Sequence, residues 1–218
     1  MSKEYWDWQL AYFLRYGFPL DFPKHEEDNL KNDCQAHASA ENYSSHVDKY
    51  IKTEIEHEAI YGPYDKPPYG ASTHFSPFMT RAKTDSVDRR VIIDLSWPES
   101  HSINHFTTSN VYLGTVYKLQ YPTVDIITDM LAAKGKGTYM FKIDLSRAFR
   151  QLRVDPADFN LLCLKWGGNY YSDGYYPFGH VSGSMACTRL SSFFRYLMFK
   201  KKYDIVSYVD DMKFNVYS

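Results

Sequence analysis

Two apolar runs in this sequence each end on a carboxylate, and that pairing constrains the fold more than any other feature. Tyr139-Met140-Phe141-Lys142-Ile143 runs into Asp144, and Ile205-Val206-Ser207-Tyr208-Val209 runs into Asp210-Asp211. The second run is followed by the alternating Met212-Lys213-Phe214-Asn215-Val216-Tyr217, so the spacing predicts a β-hairpin with Asp210 and Asp211 at its tip. Adjacent Asp residues suit ordinary turns, and so short a motif recurs by chance. A further carboxylate ending another apolar strand is not explained that way. If the two strands are neighbours, Asp144 and Asp210 converge, and carboxylates that would repel one another are best explained by divalent cations. Two Mg2+ ions about 3.5–4 Å apart clamp the attacking and leaving oxygens of a phosphoryl transfer. The expected chemistry is nucleotidyl transfer.

Asp144 lies in Phe-Lys-Ile-Asp-Leu-Ser-Arg-Ala-Phe, Gly179 in Tyr-Tyr-Pro-Phe-Gly-His, and Asp210 in Tyr-Val-Asp-Asp. In order and spacing these are similar to the first, second and third palm motifs of reverse transcriptases. Arg-Arg-Val-Ile-Ile-Asp-Leu-Ser-Trp-Pro and Ile-Asp-Leu-Ser-Arg-Ala-Phe-Arg-Gln-Leu most resemble the DIRS-type retrotransposon enzymes, which use tyrosine recombinases. The resemblance implies an α+β right-hand polymerase with fingers and an antiparallel palm sheet packed on helices. It implies an RNA-directed DNA polymerase that takes an RNA or DNA template-primer and deoxynucleoside triphosphates. Its cofactor would be Mg2+, two ions, with Mn2+ as a substitute. Asp144, Asp210 and Asp211 would be the catalytic metal ligands, and the Leu145 carbonyl would complete the shell, since Mg2+ takes six oxygens.

The same resemblance assigns the nucleotide contacts. Residues 75–96 read as strand, polar turn and strand, similar to the family's fingers hairpin, with Lys83 and Arg90 at its triphosphate-binding positions. Arg81 and Arg89 take those places if the register differs by a residue or two. Without the palm motifs, the hairpin reads as a solvated face. Arg suits phosphate through its planar fork and Lys as a mobile point charge. Phe149 takes the place of the aromatic steric gate, whose ring excludes a ribose 2′-OH; the alternative is a core Phe on a helix. Arg147 stands where some retroviral enzymes carry an acid, while the backbone N–H groups of Arg147 and Ala148 would face the phosphates. Phe178 would stack beside the incoming nucleotide, and Gly179 suits a close backbone approach. His180-Val181-Ser182-Gly183-Ser184 departs from the family's commoner wording, as does the absence of a Phe-Gln pair after Ala186.

Composition bounds the rest. With 218 residues, 44% hydrophobic and 17% aromatic, the chain can bury a real core. Residues 1–75 carry 7 Lys and Arg against 13 Asp and Glu, net −6, and residues 76–218 carry 18 against 13, net +5. The positive half is the one a polymerase would need. Cys34, Cys163 and Cys187 share no metal or disulfide spacing and read as free thiols. The chain lacks a secretory signal and any run of transmembrane length, so an intracellular place, cytoplasmic or nuclear, is expected, with no membrane contact.

Two domains are expected: an aromatic and helical N-terminal extension over 1–70, and the fingers and palm over 71–218. The Trp6 and Trp8 stripe reads as packing, with base stacking as the alternative. Ser45 and Asp48 read as a capping box for a helix with Val47, Ile51, Ile55 and Ala59 on its apolar face, ended at Gly62-Pro63. Glu54, Glu56 and Glu58 read as a solvated face, and Tyr64 to Gly70 as a linker. A helix from Pro122-Thr123 to Gly135 should pack on the sheet, hairpin strands should flank Gly167-Gly168, and a helix should run from Ser184 to Lys202. Lys200–Lys202 would favour its dipole.

The chain ends seven residues after Asp211, so the family's primer grip and thumb are expected to be absent. Two rivals follow: a non-catalytic, truncated or domesticated remnant that binds nucleic acid or a partner, and an unrelated metal-dependent phosphotransferase.

Overall fold

The computed structural model describes residues 5–31, 35–84, 86–119, 121–209 and 211–216, of which 208 and 211–216 as backbone. The elements are α1 (Leu10–Tyr16), α2 (Ala38–Glu41), α3 (Ser44–Glu56), β1 (Ile60–Tyr64), β2 (Phe78–Ala82), β3 (Arg89–Ile93), α4 (Ile103–Phe106), β4 (Val111–Tyr112) and β5 (Thr115–Val116). They continue as α5 (Val124–Lys134), β6 (Tyr139–Asp144), β7 (Cys163–Trp166), β8 (Asn169–Asp173), α6 (Gly183–Lys200), β9 (Asp204–Tyr208) and β10 (Asp211–Val216). Every named strand pair is antiparallel. β1-β8-β7 and β6-β10-β9 form three-stranded sheets, and β2-β3 and β4-β5 form hairpins.

Local sequence explains several elements directly. Gly167 and Gly168, φ +57° and +82°, close the β7-β8 hairpin with the two positive-φ positions of a tight two-residue turn. In β2-β3, Phe78, Thr80 and Ile93 alternate inward, while Arg81 and Arg90 face each other on the opposite side. Gly135, φ +84°, ends α5 and returns its N–H to the Leu131 carbonyl at 3.0 Å.

Residues 5–22 pack into the same core as the later sheets. Leu10, Phe13, Phe18, Leu20 and Phe22 are buried in one cluster with Leu152, Val154, Leu164 and Leu190. Gly17, φ +113°, lets the chain pass over residue 154, where a Cβ would stand 2.5 Å from the Val154 carbonyl oxygen. Beyond it, Phe18 bridges to Val154, and the Leu20 N–H donates to Asp158 Oδ2 at 2.8 Å. Asp7 and Arg189 of α6 form a buried pair, Nε to Oδ2 at 2.6 Å and Nη2 to Oδ1 at 2.5 Å. Trp6 and Trp8 of the expected packing stripe are instead 66% and 77% exposed.

Several local expectations are corrected. The capping box does not form: α3 starts at Ser44 with no side-chain cap, and Asp48 Oδ1 instead accepts the Trp166 indole N–H at 2.7 Å. α3 ends at Glu56, well before Gly62-Pro63, because residues 60–64 pair with β8, which also claims the start of the expected linker. Glu54 is buried rather than solvated, being held by two arginines. α5 has no fully buried residue, but Ile127, Met130 and Leu131 of its expected apolar face are half-buried, and Lys134 pairs with Asp204 of β9 at 2.5 Å. α6 also packs on the β6-β10-β9 sheet, where Phe194 and Met198 meet Ile205 of β9. β6, an edge strand of its sheet, is exposed along its whole length.

Candidate active site

β6 and β9 flank β10, and the register sets Asp211 directly across from both Asp144 and Tyr208. Positions opposed across an antiparallel ladder lie on one face of the sheet. Val209 opens the turn with φ +51°, a conformation that a β-branched residue holds only under constraint. Asp210 lies outside the described residues. Asp144 ends β6, and Leu145 packs inward against Ile205. Among the described residues no group of three or more metal-ligating side chains occurs.

Beside Asp144 opens a cleft of about 360 Å³, lined by Asp144, Leu145, Arg147, Ala148 and Phe149 together with Ile92 and Phe178. Its polar wall is a buried ion network. Asp173 accepts from Arg150 Nη1 with both oxygens at 2.6 and 2.7 Å. Arg150 Nε lies 3.3 Å from Glu54 Oε2, and Arg147 Nη2 donates to the same oxygen at 2.6 Å. Arg150 also donates to the Tyr50 hydroxyl. Burial opposes the Arg150 charge, but Asp173, Tyr50 and Glu54 together raise its pKa, so it stays a cation. Arg147 sits in the left-handed region, φ +55°, and the chain behind it forms a single 3-10 turn over Ala148–Gln151.

The aromatic wall is Phe149 against Phe178, ring centroids 5.6 Å apart and edge to face. Phe149 is half-buried, and a Cβ at Gly183 would stand 3.1 Å from its Cε1, so the start of α6 abuts the ring. Phe178 is 66% exposed. Gly179 holds φ +99°, a conformation that L side chains rarely adopt, and a Cβ there would meet no protein atom within 4 Å.

Of the cations on the β2-β3 hairpin, Arg90 is exposed on β3, on the strand face of Ile92, and Lys83 is exposed just beyond β2. Arg89 is committed elsewhere: its guanidinium lies 3.7 Å over the Tyr43 ring, and its Nε donates to Thr80 Oγ1 at 3.0 Å. Arg81 faces Arg90 across the hairpin.

Two side chains that the sequence did not single out as functional organise this site. Glu54 read as a helix-surface acid, and only the fold brings it to Arg147. Asn104 donates to the Gly179 carbonyl at 2.8 Å and to Ser96 Oγ at 2.9 Å, and its Oδ1 accepts the Val181 N–H at 3.0 Å. One amide therefore ties the loop after β3 to the turn carrying Phe178 and Gly179. Behind that turn, His180 is fully buried, its Nδ1 2.8 Å from Ser182 Oγ and its Nε2 without a partner among the described residues. Burial pulls its pKa down to about 3.

A palm sheet with a carboxylate strand and a hairpin strand in this register, packed on one long helix and faced by a two-stranded fingers hairpin, is the α+β fold of the reverse-transcriptase class. Solved structures bear this out. The chain is similar to the prototype foamy virus protease-reverse transcriptase, with a TM-score of 0.60 and 17% identity over 87% of this chain and 22% of that one. It is equally similar to a foamy viral protease-reverse transcriptase in complex with double-stranded DNA, with a TM-score of 0.61, 14% identity and coverage of 86% and 28%. A complex of such an enzyme with an RNA/DNA hybrid gives a TM-score of 0.61, 15% identity and coverage of 87% and 22%. At this identity the likeness is one of fold, and the chain spans about a quarter of those chains. No family model and no curated protein matches the sequence.

Proposed function

We propose that this chain is the fingers and palm of an RNA-directed DNA polymerase of a DIRS-type retrotransposon, extending a primer on an RNA or DNA template. The observation that carries the reading is the register of β10 on β6, which sets Asp211 opposite Asp144 beside a cleft with one cationic and one aromatic wall. Asp144, Asp210 and Asp211, with the Leu145 carbonyl, offer hard oxygen donors of the kind Mg2+ prefers and would hold two ions. Such a pair supplies charge compensation at the attacking and leaving oxygens of an in-line displacement.

The chain's own residues do the rest. Lys83 and Arg90 close on the triphosphate from the fingers, and the backbone at Arg147 and Ala148 meets it from the palm. Phe149 fills the space of a 2′-OH. Phe178 stacks beside the base, and Gly179 gives the turn its conformation. Template-primer is held mainly through phosphate contacts on the net-positive half of the chain. The work falls inside the cell, where buried thiols such as Cys163 and Cys187 stay reduced.

The test is primer extension on RNA and DNA templates with Mg2+ or Mn2+, comparing wild type with Asp210→Asn. Extension should collapse in the variant while template-primer affinity at fixed salt changes little. A wild-type chain that binds duplex and never extends it, even with a thumb-containing segment supplied in trans, would instead identify a nucleic-acid-binding remnant of a polymerase.

A further inference from the structure

The ion network beside the cleft has one open end. Side-chain exposure along it is 1% at Asp173, 12% at Arg150, 7% at Glu54 and 32% at Arg147. Its members differ in what their loss would leave behind. Without Arg150, two buried carboxylates lose a cation, which is strongly unfavourable. Without Arg147, Glu54 keeps Arg150 at 3.3 Å, and Arg150 keeps both oxygens of Asp173. Arg147 is therefore the member that can change partners at small cost. It lines the same cleft as Asp144, three residues behind it in sequence, and so does Glu54.

Resting on the nucleotidyl-transfer reading, we propose that the Arg147 side chain is a ligand for the incoming triphosphate, held ready by Glu54 and captured from it by the phosphate. In the structure Arg147 gives one nitrogen to one carboxylate oxygen, at 2.6 Å. A phosphate group offers the planar fork two oxygens and more negative charge, so the exchange replaces a single charge-assisted bond with a bidentate one. Glu54 is then a positioning residue and at the same time the competitor. Through it α3, 93 residues upstream of Arg147, sets how tightly the cleft holds phosphate.

The experiment titrates the 218-residue chain with 2′-deoxythymidine triphosphate and with deoxythymidine, in Mg2+, by calorimetry, alongside thermal melts. Arg147→Ala should weaken triphosphate binding about tenfold or more, the worth of a charge-assisted bond, and leave the nucleoside unaffected. It should melt near wild type, because Glu54 stays paired. Glu54→Gln keeps the shape, removes the competing charge and should tighten triphosphate binding severalfold. In the double variant that gain should vanish. Triphosphate affinity unchanged by Arg147→Ala, or weakened by Glu54→Gln, overturns the inference and leaves the nucleotide cleft standing. A wild-type chain that binds no triphosphate overturns the polymerase reading and this inference with it.

Discussion

Phe149 is caught between Phe178 and the first turn of α6, so its ring has little freedom to yield to a larger sugar. On the proposed polymerase reading, Phe149→Val is expected to raise ribonucleotide use relative to deoxyribonucleotide use by about tenfold, because the smaller side chain would relieve a clash with the 2′-OH. Incorporation assays with matched triphosphates read this ratio, and an unchanged ratio would assign the ring to the core. His180 gives a second residue-scale expectation. Its folded pKa of about 3 lies below the ordinary value of 6.5, so the unfolded chain takes up a proton that the folded chain refuses. The stability this group contributes is whole above pH 6.5 and is lost as pH falls from 6.5 toward 3, by about 1.4 kcal/mol per pH unit within that window. Urea titrations across this range should show a shallower pH slope for His180→Asn than for wild type. At this scale the sequence was most legible where chemistry is unusual for its place, as with Asp144 ending an apolar strand. It was least legible at Glu54, whose partners lie 93 residues or more away.

Elements are joined here by single side chains, and those joints can be tested separately. Asn104→Ala removes one amide's three hydrogen bonds, one to Ser96 in the loop after β3 and two to the turn at residues 179–181. We expect a loss of about 1–3 kcal/mol and faster hydrogen exchange at the Val181 amide, read by mass spectrometry or NMR. Unchanged exchange there would mean that the turn is held by its own conformation. Asp7→Asn acts on the other joint. It leaves the Arg189 charge buried without its carboxylate, at an expected cost of about 3–5 kcal/mol in denaturant unfolding. A loss below about 1 kcal/mol would show that residues 5–9 are not docked on α6. Hairpins such as β2-β3 and β7-β8 were readable because alternation and turn glycines are local signals. The cap at α3 was not, because a tertiary partner, the Trp166 indole, took the side chain that the local rule had assigned.

The whole-molecule fold was legible through three motifs in order, whereas the division at residue 70 rests on the sequence alone. The structure packs residues 5–22 into one core with Leu152, Val154 and Leu190, and nothing in the sequence of that first segment names these partners. A consequence follows for synthesis. Asp7 and Arg189 are 182 residues apart, and Gly17 and Phe18 lie against Val154. At about 5–20 residues per second, a ribosome needs roughly 10–40 s to add 182 residues. Until the later residues are made, Leu10, Phe13 and Phe18 lack part of the cluster that buries them. Residues 5–22 thus stay partly uncovered through that interval, open to chaperones and to neighbouring nascent chains.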